Sequence, residues 1–157
     1  MPNTELDTFD RRILDILQTD GRMTNSDLAE QIGLSPSPCL RRVRQLEAEG
    51  VILGYVALVD PQTIGLSVSA FVRVRLDQQD DQHLRTFEMA ISDFPEVMEC
   101  YLMSGDADYQ LRVLVESLTA FEDFLRNKLT MIEGVAQVTT SFALRPIIYK
   151  TALPLEH

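Results

Sequence analysis

The sequence predicts an α+β fold: an N-terminal helix-turn-helix head followed by a C-terminal ferredoxin-like βαββαβ sandwich with an antiparallel sheet. Three capped helical patterns fill the first part of the chain, and alternating strand patterns follow them. From there the order is strand, helix, strand, strand, helix, strand. We therefore divide the chain into a head over residues 1–50, a β-strand linker over residues 51–66 and a sandwich domain over residues 67–157.

The composition is that of a folded protein with no membrane segment. The chain has 157 residues, of which 45% are hydrophobic and 24% are charged, and its net charge is −10. We find no secretory signal and no apolar run of membrane-spanning length, so we expect a cytoplasmic protein without a membrane partner. The acidic balance argues against binding of polyanions by the whole surface, although it leaves room for a local basic face.

Capping residues define the first two helices. Asp7 is placed to cap the first helix, with Asp10 three residues further on, and Gly21 follows its end. Thr24 begins a second, shorter helix, which Gly33 closes. A short helix, a tight turn containing glycine and then a longer helix is the order of a helix-turn-helix.

The third helix extends from a cap at Ser35 to Gly50, and we call it the reading helix. Pro36 suits its first position because the missing N–H would have no partner there in any residue. Three arginines and no acidic residue lie between Ser35 and Leu46, in a chain that is acidic overall. A locally basic helix in an acidic protein indicates contact with a nucleic-acid backbone.

Helical spacing separates an inner face of the reading helix, with Cys39, Val43 and Leu46, from an outward face. The residues predicted to contact double-stranded DNA are Ser37, Arg41, Arg44 and Gln45 on the outward face, Ser35 and Pro38 at the tip, Arg42 to one side, and Asn25 and Ser26 on the preceding helix. Arginine can bond guanine and glutamine can pair with adenine, whereas the residues to the side are expected on phosphates. The alternative interpretation is a small helical bundle whose arginines form a solvated face.

Alternating polarity marks the strands of the second half. Between residues 67 and 76 apolar side chains alternate with Ser69, Phe71, Arg73 and Arg75. The other predicted strands cover residues 97–104, 109–115 and 135–144. Two helices are predicted between the strands: the first ends before Pro95, and the second covers residues 118–132. Two helices on one face of this sheet leave the other face uncovered, so we predict at least a homodimer.

The whole chain resembles the Lrp/AsnC family of transcription regulators from about residue 5 to residue 150. The residues that carry the resemblance are Leu6-Asp7-x-x-Asp10-x-x-Ile13-Leu14, Gly21-Arg22, Leu28-Ala29, Gly33-Leu34-Ser35-Pro36-Ser37-Pro38-Cys39, Arg42-Val43-x-x-Leu46-Glu47, Gly50-Val51-Ile52-x-Gly54-Tyr55, Pro95-Glu96-Val97, Gly105-Asp106-x-Asp108-Tyr109 and Gly134-Val135. Each of these motifs alone is weak evidence for the family, whereas the whole set in this order is specific for it. The resemblance implies a DNA-binding transcription regulator that forms homodimers, which assemble into octamers.

The loop Gly105-Asp106-Ala107-Asp108 is the second candidate site. Taken alone, Gly-Asp between two strands is typical of an ordinary hairpin turn with no binding role. The resemblance implies instead that a small effector, an amino acid in most members, is held there, with backbone N–H groups suited to its carboxylate and Asp108 to its ammonium group. The residues carried over to this effector site are Leu102, Gly105, Asp106 and Asp108, with Ala70, Thr140 and Phe142 to complete the pocket.

Other functions find less support. His83 and His157 are the only histidines, so no histidine-based triad or metal cluster is expected, and we predict neither catalysis nor a cofactor. Cys39 and Cys100 are interpreted as packed residues, with a redox role for Cys39 as the alternative. A standalone amino-acid-binding or scaffold protein, whose helical part merely packs, is the rival to a regulator.

Overall fold

The computed structural model describes residues 5–155, so His157 lies outside the described part of the chain. Its helices are α1 (Thr8–Thr19), α2 (Asn25–Ile32), α3 (Pro36–Ala48), α4 (Asp81–Ser92) and α5 (Leu118–Asn127), followed by a short 3₁₀ helix (Leu129–Met131). Its strands are β1 (Val68–Leu76), β2 (Val97–Leu102), β3 (Tyr109–Val115) and β4 (Val135–Ala143). No helix in this part of the chain is both long and apolar enough to cross a membrane.

The three helices of the head begin at the predicted caps. The side chain of Asp7 accepts a hydrogen bond from the backbone N–H of Asp10, and the reverse bond completes a capping box at α1. Thr24 caps α2 in the same way, through the N–H of Asp27. Gly33 closes α2 with φ 75°, in the left-handed region that favours glycine. The core between the helices consists of Ile13, Leu14, Leu28, Ala29, Ile32, Cys39 and Leu46.

The four strands form one antiparallel sheet in the order β2-β3-β1-β4. Every second residue of β1 is buried, from Ala70 to Leu76, whereas Phe71, Arg73 and Arg75 between them are exposed. The buried face packs with side chains of α4 and α5, including Phe87, Ile91, Phe121 and Phe124. The ferredoxin-like order and the open sheet face predicted from the sequence are confirmed.

The predicted strand within the 51–66 linker is not formed in the single chain. Residues 53–60 form no regular secondary structure, and residues 61–65 form a turn. A strand needs a neighbouring strand to complete its hydrogen bonds, and none of the strands in the described part of the chain lies beside this segment. Leu53 is 95% and Val56 83% exposed, so the segment presents apolar side chains to solvent. Pairing of the linker with a second copy stays a prediction.

Two other boundaries differ from those predicted. The helix predicted over residues 118–132 ends at Asn127, because Lys128 leaves the helical conformation (φ −124°, ψ −70°) before the 3₁₀ turn. The chain also divides differently, since one compact unit comprises residues up to Leu58 together with those from Ile148 onward, and the other covers Val59–Ile147. In the single chain the segment from Ile148 onward is thus part of the same compact unit as the head, and the predicted domain limit at residue 67 stays a prediction.

The C-terminal segment is attached to α1 by a side chain that the sequence patterns do not single out. The amide of Gln18 donates to the carbonyl of Leu153 at 3.1 Å, and its oxygen accepts the Leu153 N–H at 2.6 Å. Leu155 packs against the core of the head. The side-chain amide of Gln18 binds both the N–H and the carbonyl of Leu153, as the backbone of a neighbouring strand would. The two hydrogen bonds therefore hold the segment at a defined position along α1.

Candidate functional site

The outward face of the reading helix, α3, is exposed as predicted. Ser37, Arg41, Arg44 and Gln45 are all exposed, whereas Cys39 is fully buried on the inner face. The described part of the chain offers neither Arg41 nor Arg44 a carboxylate within ion-pair distance. These two guanidinium groups can therefore approach a polyanion without breaking an internal contact.

Gln45 and the tip of the reading helix present uncharged polar groups, in contrast to the guanidinium groups of Arg41 and Arg44. The amide of Gln45 donates to Glu49 Oε1 at 2.8 Å on the next turn, so contact with a base requires the exchange of this weak surface bond. Ser35 occupies the N-cap position, but its hydroxyl makes no capping hydrogen bond. Ser35 and Ser26 are exposed, and Pro38 is half-buried. Pro36 and Pro38 have no backbone N–H and the Cys39 N–H donates to the Ser35 carbonyl, so the tip offers its hydroxyls and the Ser37 N–H to phosphate oxygens.

Arg42 differs from the other two arginines of the reading helix. Its Nη1 lies 2.7 Å from Asp7 Oδ2 and 2.9 Å from Asp10 Oδ1, and its guanidinium carbon is 5.3 Å from the centre of the Phe9 ring. These contacts raise the pKa of Arg42, chiefly through the hydrogen bond to Asp7. The expected phosphate contact of Arg42 therefore competes with two internal carboxylates.

Asn25 is also engaged inside the head. Its Nδ2 donates to the carbonyl of Pro36 at 2.8 Å, which ties the first turn of α2 to the first turn of the reading helix. Its Oδ1 is buried and has no hydrogen-bond partner within the described residues. The geometry thus gives Asn25 a structural contact in addition to the phosphate contact expected from the sequence.

Cys39 and Cys100 are free thiols, and burial raises the pKa of both. The pKa of Cys100 rises to about 11, with the charge of Glu88 adding to the effect. A raised pKa disfavours the thiolate, which is the reactive form. Cys39 is buried, as predicted, whereas Cys100 is an exposed residue whose thiol is only partly desolvated, so its interpretation as a packed residue is wrong.

The β2–β3 loop is fastened to β1 by Asp108. Its backbone N–H donates to Val74 O at 2.9 Å, its side chain accepts the Leu76 N–H at 2.7 Å, and its carbonyl accepts the Met103 N–H at 2.8 Å. Gly105 permits the turn because its φ of 122° lies in the region that favours glycine. One oxygen of the Asp108 carboxylate is therefore already bound to the backbone, and the expected role of Asp108 as the partner of an effector ammonium group stays a prediction.

Asp106 is the acidic group of this loop that faces solvent. Its side chain is 84% exposed and forms an ion pair with Arg73, which holds the pKa of Asp106 below its usual range. The two residues line a depression of about 100 Å³ on the open sheet face, together with Arg75, Ala107, Gln137 and Thr139. Strand order places Arg73 beside Asp106, because β1 neighbours β3 in the sheet.

Arg73 and Arg75 are the residues of this site that the sequence did not assign. Their outward position on β1 followed from the alternation, and the ferredoxin-like strand order was enough to bring β1 next to the loop before β3. The sequence contained no signal for the pairing of Arg73 with Asp106 itself, since the two are far apart along the chain and belong to different motifs.

Three of the predicted effector residues lie on the other face of the sheet. Ala70 is fully buried in the core, and its cross-strand neighbour Phe142 packs edge-on against Phe121 with ring centres 5.1 Å apart. Thr140 has the same orientation, since it pairs with the buried Val72. Because alternate residues of a strand face opposite sides, these side chains do not share a pocket with Asp106.

Leu102 lies on the helix-covered side of the sheet edge. It lines a depression of about 310 Å³ between α4 and β2, whose walls include Ile91, Cys100 and Tyr109. The hydroxyl of Tyr109 donates to Glu88 Oε1 at 2.6 Å, and burial raises its pKa. The loop between β2 and β3 thus has a charged depression on one face of the sheet and one lined by both polar and apolar residues on the other.

Both halves of the chain are similar to known proteins. Residues 6–52 match a winged helix-turn-helix DNA-binding model, and residues 69–153 match the Lrp/AsnC ligand binding domain. The Bkd operon transcriptional regulator of Pseudomonas aeruginosa is 48% identical over 96% of this chain and 99% of its own. The Leucine-responsive regulatory protein of Rhizobium meliloti is 43% identical over 91% of this chain and 92% of its own.

Solved structures give the same result for the fold. A transcriptional regulator from Neisseria meningitidis, solved as a complex with L-Met, superposes with a TM-score of 0.92. It is 39% identical, and the match covers 97% of this chain and 98% of that one. The AsnC protein of E. coli superposes with a TM-score of 0.87 at 27% identity, over 93% and 97% of the two chains.

Proposed function

We infer the working parts of this protein from the premise that the chain belongs to the Lrp/AsnC family of transcription regulators. It is a sequence-specific DNA-binding regulator that responds to a small effector. The head binds DNA, and the sandwich domain binds the effector.

For the head, we propose that Arg41, Arg44, Gln45 and Ser37 meet base edges in the major groove. The observation that carries this proposal is the exposure of Arg41 and Arg44 on one face of the reading helix, where no carboxylate of the described residues holds them. Arginine reaches two acceptors of guanine and glutamine reaches adenine, each worth about 1–3 kcal/mol of discrimination. Ser35, Pro38 and Ser26 lie where phosphates follow the groove.

The test is the double substitution of Arg41→Ala with Arg44→Ala in the full chain. We expect loss of specific binding to the DNA upstream of the protein's own gene in a gel shift, with an unchanged circular dichroism spectrum. Arg85→Ala, at an exposed arginine of α4, is the matched control and should bind as the unmodified protein does. Full retention of the DNA by the folded double variant would reject this assignment.

For the sandwich domain, we propose that the effector is an amino acid held at the β2–β3 loop. Asp106 is suited to its ammonium group, and Arg73 and Arg75 are suited to its carboxylate, because they offer opposite charges side by side on an accessible surface. The printed names of the similar proteins support this class, since one is leucine-responsive and another is a complex with L-Met. Leu102 lies on the opposite, helix-covered face of the sheet, so we leave it out of this proposed site.

Calorimetric titration of the twenty amino acids into the full chain tests this class directly. We expect heat from at least one aliphatic or sulfur-containing amino acid, and its loss in Asp106→Asn. Asp123→Asn makes the same change on the exposed side of α5 and is the control. The absence of heat from all twenty would reject an amino-acid effector, while leaving the DNA-binding assignment of the head intact.

We further propose that the protein acts as a homodimer that assembles into octamers in the cytoplasm, without a catalytic role. The support is the open sheet face with Phe71 and the exposed apolar linker, both of which a second copy can cover. Light scattering coupled to size-exclusion chromatography measures the assembly. A monomer at micromolar concentration would contradict the proposed dimer.

A further inference from the structure

The start of α1 uses all four carboxylate oxygens of Asp7 and Asp10. In the capping box, Asp7 Oδ1 accepts the Asp10 N–H at 2.9 Å, and Asp10 Oδ2 accepts the Asp7 N–H at 3.2 Å. The two remaining oxygens, Asp7 Oδ2 and Asp10 Oδ1, both bind Arg42 Nη1. The cap of one helix is therefore also the receptor for an arginine of another.

We propose that Arg42 is a positioning residue that fixes the reading helix to the start of α1, and that it makes no phosphate contact. The proposal rests on the DNA-binding function of the head and assigns a different task to one of its three reading-helix arginines. Arg42 lies next to Arg41 in sequence, yet their side chains serve opposite purposes: one binds inward to the protein and the other is exposed to solvent.

Burial and charge both hold Arg42 in place. Its side chain is 29% exposed, and that of Asp10 only 16%, so this part of the ion pair is shielded from water and salt. The guanidinium also lies over the ring of Phe9, which adds a cation–π contact. A phosphate would have to replace two carboxylates that are already in contact and would leave both of them without their cation.

The arrangement sets the orientation of the reading helix. Arg42 is near the middle of α3, and its two partners flank the first turn of α1, so rotation or sliding of α3 breaks at least one of the short contacts. Both contacts come from one nitrogen, Nη1, of a rigid guanidinium plane that also lies over the Phe9 ring, whereas lysine offers a flexible point charge. Arg42→Lys therefore keeps the charge but weakens the double contact.

The dependence of DNA binding on salt separates positioning from phosphate contact. A mixed-sequence duplex of about 30 base pairs serves as the probe, since non-specific binding is dominated by phosphate contacts, each of which contributes about 0.9 to the slope of log K against log salt concentration. We expect Arg42→Ala to lower the thermal midpoint and leave the slope unchanged, whereas Arg41→Ala, at an exposed arginine of the same helix, leaves the midpoint unchanged. A smaller slope for Arg42→Ala at an unchanged midpoint, restored by Arg42→Lys, would overturn the proposal.

Asp10→Asn gives a second test, because the positioning role and the phosphate-binding role of Arg42 predict opposite changes in affinity for the duplex. It makes the head more positive by one charge, so a freed phosphate-binding Arg42 should bind the duplex more tightly. A positioning role predicts weaker binding, because the reading helix loses its attachment. Glu30→Gln makes the same charge change at an exposed position of α2 and measures the purely electrostatic effect.

Thermal unfolding completes the test without DNA. For the positioning role, Arg42→Ala combined with Asp10→Asn should lower the midpoint no further than the more damaging single variant, because the two residues share one contact. Additive midpoint shifts would show that they do not depend on each other and would overturn the proposal.

Discussion

Gln18 and Leu153 are paired through two hydrogen bonds, of 3.1 and 2.6 Å, between a helix side chain and the backbone of the C-terminal segment. The pair fastens this segment to α1, the same helix whose beginning receives Arg42. The helix that supports the reading helix is thus held at both of its ends. The C-terminal segment is a structural part of the DNA-binding head.

Removal of this attachment should destabilise the head. Gln18→Ala loses two exposed hydrogen bonds, each worth about 0.5–1.5 kcal/mol net, and leaves the Leu153 backbone to water. We expect a lower free energy of unfolding and faster amide exchange along α1, measured by hydrogen–deuterium exchange. Arg12→Ala, at an exposed position of the same helix, should leave both unchanged. Equal exchange in Gln18→Ala and the unmodified chain would count against the attachment.

Substitutions of the two aspartates of the β2–β3 loop should affect different properties, folding stability for Asp108 and ligand binding for Asp106. Asp108→Ala leaves the Leu76 N–H without its partner, which costs about 1–3 kcal/mol of folding free energy. Asp106→Asn should leave the free energy of unfolding within about 0.5 kcal/mol, because Asp106 is mostly exposed, yet abolish amino-acid binding. Urea unfolding and calorimetry on both variants measure the two effects. Destabilisation by Asp106→Asn and none by Asp108→Ala would reverse these roles.

His83 should make the stability of the sandwich domain depend on pH. Its Nδ1 lies 2.8 Å from the carboxylate of Asp80, which raises the pKa of His83 above 6.5, with smaller contributions from Asp77 and Glu133. The histidine gains a partner in the folded state, so its stabilisation is fully present below pH 6.5 and is lost as pH rises through the folded pKa. We expect the urea midpoint to fall as pH rises above 6.5 and through the raised pKa of His83. His83→Gln should remove this dependence, and its persistence in that variant would exclude His83 as the source.

Gly134 should not tolerate a side chain. Its φ is 90°, and a Cβ at this position would lie 3.3 Å from both Asp77 Oδ1 and His83 Cδ2. Gly134→Ala therefore combines backbone strain with close contacts, and we expect a loss of about 1–3 kcal/mol in the free energy of unfolding. Gly65→Ala has a similar φ of 86° with open space around the Cβ, so a comparison of the two separates strain from crowding. An equal loss of unfolding free energy in Gly134→Ala and Gly65→Ala would mean that backbone strain, and not crowding, causes the whole effect.

The sequence predicted the elements well because their signals are local. Caps such as Asp7 and Thr24 act within four residues, and the alternation along β1 needs only its own residues. The same alternation already places Ala70 on the covered face with Val72, so it argues against a pocket that joins Ala70 to Asp106. The resemblance brought Ala70 into the effector site against the pattern of its own strand.

The contacts that the sequence did not predict join distant segments. A helical projection places Arg42 beside the reading face, but it does not show that Asp7 and Asp10 lie within reach of its guanidinium. The same holds for Gln18 and Leu153, which are far apart in the chain and carry no shared motif. Such pairings are set by how helices and segments pack, and a single sequence holds no record of that packing.

The return of the C-terminal segment to the head makes the sandwich domain an insertion within the DNA-binding unit. During synthesis the head therefore stays incomplete until the segment from Ile148 onward has left the ribosome, although its three helices are made first. A fusion partner added at either described end of the chain is attached to the same unit, the one that must approach DNA. A single cut in the linker would not release the head, because the segment from Ile148 onward still binds it.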